Sequence, residues 1–263
     1  WQEACQCETP PMAIGGVFWS TGRRCLRPAA ARRAGRMVRF LRMLPIQDRI
    51  LRIMRTLTRA TKDFAAPMGT AMVRERRTLF ELLVSTACSA QSRDSVTYPV
   101  MLRLFAIANT PEQFARMTQS DLAKLLYPIS YYRTKAKHLI ALSHMLLKEH
   151  GGRVPKTMAE LLTSPGVGRK TANLVLGEGM GKVEGVCVDT HVHRISNRLG
   201  IVRTKTREAT EYALMGILPK KLWIRWNPLL VMWGQNICAP ISPKCSQCPL
   251  RPYCPRRGVT MSR

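Results

Sequence analysis

The chain has 263 residues, 46% of them hydrophobic, enough to bury one large core or two modest ones. Lysine and arginine number 42 against 16 acids, a formal net charge of +26. That excess calls for an anionic partner, nucleic acid ahead of an anionic membrane surface. No apolar run approaches the roughly 18 residues of a membrane span, and the apolar stretch from Pro10 to Trp19 has no positive residue ahead of it, so it makes a poor signal peptide.

In chain order, residues 1–43 stand apart. They carry eight arginines, no lysine and only Glu3 and Glu8 as acids, separated by Pro, Gly and Ala without an apolar stripe. The segment reads as a disordered DNA-binding arm, an Arg-rich targeting peptide or non-native upstream sequence. Met37 and Met43 mark points where a compact domain can start. From Pro45 the pattern turns helical. Ile46, Ile50, Ile53, Met54 and Leu57 share one helix face. Leu79, Leu82, Leu83 and Thr86 mark a second helix that ends in the polar run from Ser89 to Asp94. Thr110-Pro111-Glu112-Gln113 is a helix start, with Thr as N-cap and Gln in the capping-box position. Ser120 and Asp121 start the next helix. A long one follows from about Thr134 to His150 and stops at Gly151-Gly152. Thr157 to Glu160 is a second capping box. Val96, Val100 and the stretch from Gly185 to Val188 are too short to support a sheet. The expected fold class is all-α.

The turn at 164–168 carries chemistry. Ser164-Pro165-Gly166-Val167-Gly168 joins two helical patterns, with Lys170 just inside the second. Glycines at a helix start leave backbone N–H groups uncovered at the positive end of the helix dipole, an arrangement that binds phosphate. Two helices around such a turn form a helix-hairpin-helix, which grips the DNA backbone without reading its sequence. The positive end of a helix disfavours a protonated amine, and a neutral amine attacks an aldehyde carbon to give a Schiff base. Asp189 precedes another helical pattern at Val192, Ile195 and Leu199, so the intervening loop can bring carboxylate to amine. The plain alternatives are that Lys170 only touches phosphate and Asp189 only caps a helix.

Nine cysteines are present, and Cys238, Cys245, Cys248 and Cys254 are spaced C-x6-C-x2-C-x5-C. Crowding of this kind indicates a metal centre in a reducing compartment more than a disulfide framework. One run of wide and narrow gaps suits a [4Fe–4S] cube better than the paired hooks of zinc. Cys88 and Cys187 lie in apolar runs and are expected to be buried.

Taken together, these motifs resemble the endonuclease III family. The match runs through Pro165-Gly166-Val167-Gly168-Arg169-Lys170-Thr171-Ala172-Asn173, Val188-Asp189-Thr190-His191 and the four-cysteine run. Ser89-Ala90-Gln91 and Tyr132-Arg133-Thr134-Lys135-Ala136 are further similar segments, and the whole covers about residues 46–257. The resemblance implies two α-helical domains flanking a DNA cleft. One is a six-helix domain at 72–182, with the hairpin at about 158–180. The other is a cluster domain at 44–71 plus 183–263, holding a [4Fe–4S] cluster on the four cysteines. It implies a bifunctional DNA glycosylase and AP lyase of base-excision repair acting on oxidised pyrimidines, with Lys170 as Schiff-base nucleophile and Asp189 as its partner. Implied DNA contacts fall on Gln91, Tyr131, Gly166, Gly168, Arg169, Thr171, His191 and Lys244. Ser164, Ser130 and Tyr131 depart from the family pattern, where leucine, glycine and an apolar wedge are usual. The expected partner is double-stranded DNA with damaged bases or abasic sites, bound by a monomer away from membranes. The expected compartment is the cytoplasm or nucleoid of a prokaryote, or the nucleus or mitochondrion of a eukaryote. A monofunctional mismatch glycosylase and a non-enzymatic DNA-binding module are the competing readings.

Overall fold

The computed structural model describes Met37, Leu41 and residues 43–263. The Arg-rich arm expected over residues 1–43 otherwise lies outside the described residues. Among the described residues the chain is built from helices and contains no strand, so the all-α expectation holds.

Twelve α-helices follow one another in this part. Helix α1 (Ile46–Ala60) buries Ile50, Ile53, Met54 and Leu57 along one stripe, the face its spacing dictates. Helices α2 (Met68–Arg74), α3 (Leu79–Cys88) and α4 (Asp94–Ile107) come next. Helix α3 is buried over nearly its whole length and is held at its start by a capping box between Thr78 and Glu81. Helix α4 was not expected: Pro99 lies inside it, and its start at Asp94 was read as the tail of the preceding helix.

Helix α5 (Pro111–Ala115) has the expected box, with Gln113 N–H donating to Thr110 Oγ1 and Thr110 N–H to Gln113 Oε1. Helix α6 (Gln119–Leu126) starts earlier than expected. Its cap is Thr118, and Asp121 sits in the first turn with its carboxylate on the Thr118 hydroxyl. Helix α7 (Tyr132–His150) ends at Gly151, whose φ of 57° lets Gly152 N–H return to Leu146 O at 2.9 Å.

Helix α8 (Met158–Thr163) is capped by Thr157. The expected box is half made, because the Glu160 carboxylate takes the Thr157 hydroxyl instead of the cap's backbone N–H. Helix α9 (Arg169–Leu174) runs on into a wide turn over Val175–Gly179. Helices α10 (Thr190–Arg198), α11 (Arg207–Ile217) and α12 (Trp223–Asn236) complete the set.

Two hydrophobic cores hold these helices. One gathers buried residues from Met68 to Cys187, with Phe80 edge-on to Phe114 at 5.2 Å between ring centroids. The other joins α1 to the C-terminal part, from Ile50 through Val192 and Trp226 to Leu250. The chain passes between them at Val186 and Cys187, just before Asp189. The Asp94 carboxylate also spans the cores, accepting from Met68 N–H at 3.2 Å and from Gln235 Nε2 at 3.4 Å.

Candidate active site and nucleic-acid interface

The hairpin turn is shaped by two glycines with different roles. Gly166 has a φ of 76°, and a Cβ there would meet His138 of α7 at 3.0 Å. The turn is therefore seated against α7 through a position only glycine fits. Gly168 is the N-cap of α9 and has no neighbour within 4 Å of where a Cβ would stand. No side chain caps this helix start, and uncapped N–H groups at a helix start suit a phosphate oxygen. Ser164, where the family pattern has leucine, is buried and donates to Glu160 O at 3.3 Å. The polar substitution is thus absorbed by the backbone of α8.

Lys170 projects from the first turn of α9, and its Nζ donates to Ser89 Oγ at 3.2 Å. Asp189 caps α10, with Oδ1 accepting from Val192 N–H at 2.8 Å. The capping reading of Asp189 is therefore correct as far as it goes, and it uses one carboxylate oxygen. Lys170 and Asp189 both act electrostatically on Cys187 and His191. Burial pushes the Cys187 thiol up, the Lys170 charge pulls it down, and the Asp189, Glu178 and Glu211 carboxylates add to the rise. Cys187 also donates to Lys170 O at 3.5 Å. Burial holds the His191 imidazole toward its neutral form; Asp189 and Asp94 oppose this, while Arg194 and Lys170 reinforce it. Because Arg194 Nη2 donates to His191 Nδ1 at 3.2 Å, the ring proton belongs on Nε2, leaving a donor there. There is no room for a Cβ at Gly234 of α12 against this ring.

The expected DNA contacts divide by environment. Gln91 and Tyr131 are exposed, each at the tip of a turn with positive φ, 56° and 58°. Non-glycine residues rarely adopt that conformation, and Arg76, Ser242 and Arg256 share it. Thr171 is buried, so only its backbone remains available at the helix start. Lys244 borders the cysteine loop. Arg169 is committed elsewhere: Nε and Nη2 donate to Glu211 at 2.9 and 2.7 Å, and the guanidinium lies 5.1 Å from the Tyr212 ring centroid.

The four cysteines border a single cavity together with Leu250, Ile195 and Trp233. Among the described residues no three His, Cys, Asp or Glu side chains converge closely enough for one metal ion. Donors point at the sulfurs: Arg198 Nη1 to Cys238 Sγ at 3.4 Å and Arg256 N–H to Cys254 Sγ at 3.4 Å. The Arg198 guanidinium also binds Ala239 O and Pro240 O, each at 2.6 Å, and Arg194 binds Cys238 O at 2.8 Å. Cys88 and Cys187 are buried and free of disulfides.

Three residues near Lys170 carry features that sequence reasoning did not assign. Ser89 is the lysine's hydrogen-bond partner. Glu178 lies in the wide turn after α9 and accepts from Thr70 Oγ1 at 2.7 Å. Burial raises its carboxyl above the usual range, against the pull of Thr70, Lys170 and Arg74. The available signal was an acid between two glycines in an apolar helix. Lys135 sits in a quoted segment, but nothing in the sequence names its partners, the carbonyls of Cys88 and Ala90.

Comparison with known proteins decides the family. Residues 84–220 match the model of the HhH-GPD superfamily of base excision DNA repair proteins. Endonuclease III of Thermotoga maritima is 45% identical over 182 residues, covering 68% of this chain and 85% of that protein. The chain belongs to the endonuclease III family. Endonuclease III-like protein 1 of Bos taurus is 41% identical over 68% of this chain, which spans 60% of that longer protein. A solved non-covalent endonuclease III–DNA complex superposes with a TM-score of 0.73 at 34% identity, covering 81% of this chain and 97% of that one. As a member of the endonuclease III family the chain is an enzyme of base excision DNA repair, a DNA glycosylase and AP lyase whose substrate is DNA. No helix among the described residues is long and apolar enough to cross a membrane.

Proposed function

We propose that the chain excises oxidised pyrimidines from duplex DNA and cleaves the resulting abasic site through a Schiff base on Lys170. The observation that carries this is Lys170 at an uncapped glycine helix start, sharing the surroundings of Cys187 and His191 with Asp189. In this reading the N–H groups of Gly166 and Gly168 hold a backbone phosphate, Val167 N–H being used by Ser164 O at 3.1 Å. Gln91 and Tyr131 enter the duplex as the damaged nucleotide leaves the stack, a step that is easier for a base already poorly stacked or paired. The Lys170 amine attacks the sugar C1′, the glycosidic bond breaks and the base departs with its electron pair. The second Asp189 oxygen, not used in capping, stabilises the positive charge that grows on the sugar. Loss of the amine proton and opening of the sugar ring give the imine. Removal of a C2′ proton then expels the 3′ phosphate by β-elimination.

Cys238, Cys245, Cys248 and Cys254 would hold a [4Fe–4S] cluster. Their arrangement around one cavity and the donors aimed at their sulfurs fit a cube bound by four thiolates. Bound there, such a cluster would hold the C-terminal loop in a fixed fold. Six-helix and cluster domains at 72–182 and 44–71 plus 183–263 lie near the division between the two cores, with Met68 and Cys187 packing in the first core beyond those bounds, and the protein acts as a monomer in a DNA-containing compartment. The test is incubation with duplexes carrying one defined lesion each, with borohydride present. Excision of oxidised pyrimidines with a covalent protein–DNA adduct supports the reading; base release without an adduct makes the enzyme monofunctional and overturns it.

A further inference from the structure

One partly buried cation has no part in this chemistry. Lys135 stands in the first turn of α7, and its Nζ donates to Cys88 O at 2.8 Å and Ala90 O at 2.7 Å. These carbonyls close the C-terminal end of α3, where the helix dipole favours a cation. The backbone N–H of the same residue donates to Tyr131 O at 3.0 Å. Lys135 therefore grips the peptide next to Gln91 with its side chain and that of Tyr131 with its main chain. Both tips are exposed, 40 positions apart in sequence, and both hold left-handed φ values. Two such turns left independent would each lose freedom separately on entering DNA.

We infer that Lys135 is a positioning residue that couples Gln91 and Tyr131, so that the two side chains enter the duplex as one wedge. The inference rests on the reading of Gln91 and Tyr131 as DNA contacts. A lysine that only finished α3 would steady the fold without making the two tips depend on each other. That difference is measurable as a double-mutant cycle in the cleavage of abasic duplex DNA.

With the parent protein, Gln91→Ala and Tyr131→Ala should each lower kcat/KM, and their combination should miss the product of the two losses by about three-fold or more. In a Lys135→Met background, which keeps length and burial but removes the donors, the two losses should multiply within error. Lys135→Arg should restore the coupling. If the methionine variant does not fold, Lys135→Leu, which also has no donor, replaces it. Coupling that persists without the lysine's donors overturns the inference while leaving the two DNA contacts intact. Single variants that cleave like the parent overturn the reading of Gln91 and Tyr131 themselves, and the inference with it.

Discussion

The Glu211 carboxylate accepts two hydrogen bonds from Arg169, at 2.9 and 2.7 Å, and a third from Asn173 at 2.8 Å. The first residue of the hairpin's second helix is thus tied to α11, which packs in the other core. Glu211 is 3% exposed, so its charge depends on these donors. Glu211→Gln should destabilise the protein by about 1–3 kcal/mol in urea denaturation. Arg169→Ala should weaken DNA binding without changing the slope of affinity against salt, because a guanidinium already neutralised by carboxylate releases no counterion. A slope reduced by about one would show that Arg169 also meets a phosphate.

Lys170→Gln removes the attacking amine and keeps a polar group within reach of Ser89. Affinity for abasic DNA should stay near the parent's. Borohydride trapping and strand cleavage should fall by orders of magnitude, as expected for a lost covalent nucleophile. Trapping at the parent's rate would move the nucleophile elsewhere.

In the proposed mechanism Asp189 has two separable duties. Asparagine caps helices as well as aspartate does, so Asp189→Asn should melt near the parent temperature. It should slow base release more than cleavage of a ready-made abasic site. Asp189→Ala should lose activity and also about 1 kcal/mol of stability. Equal slowing of both steps in the asparagine variant would deny the carboxylate its place in glycosidic cleavage.

Iron content tests the cysteine loop. The purified protein should be brown, with about four irons per chain if the cubane is right. Cys245→Ser should lose that iron and loosen the chain after Ile237, seen as faster amide exchange there. A colourless protein with one zinc would contradict the cluster.

Glu178 gives a pH signature of defined sign. Its carboxyl is raised by burial, so the folded protein holds the proton more tightly than the unfolded chain. The stability it contributes is present below its ordinary value of 4.5 and is lost as pH rises through the folded value. Glu178→Gln keeps an oxygen for Thr70 and cannot ionise. It should melt above the parent at alkaline pH, on the order of 2–4 °C, with the gap closing as pH falls toward 4.5. A gap that is constant with pH would mean the carboxyl titrates normally.

What was legible in the sequence was local. The Thr110–Gln113 box and the stop at Gly151 depend on residues within one turn, and both formed as read. The start of α6 shifted because Thr118, Ser120 and Asp121 are all competent caps, and Asp121 does more as the partner of Thr118. Helix α4 was hidden by Pro99 and by a polar run that belongs partly to its own start. Lys170 and Asp189 stood out because glycine turns and N-caps are local signals. The Arg169–Glu211 pair did not, since its members are 42 residues apart. The burial of Glu178 also depends on long-range packing that no short motif encodes.

Helix α10 begins at the cap Asp189 and ends at Arg198, whose guanidinium clasps the carbonyls of Ala239 and Pro240 beside the first cysteine of the loop. Nine residues at about 1.5 Å each make it a rod of roughly 13 Å. A short helix transmits a shift at one end to the other with little bending. In the proposed mechanism, a disturbance of the sulfur loop would therefore reach Asp189 as a change of aim.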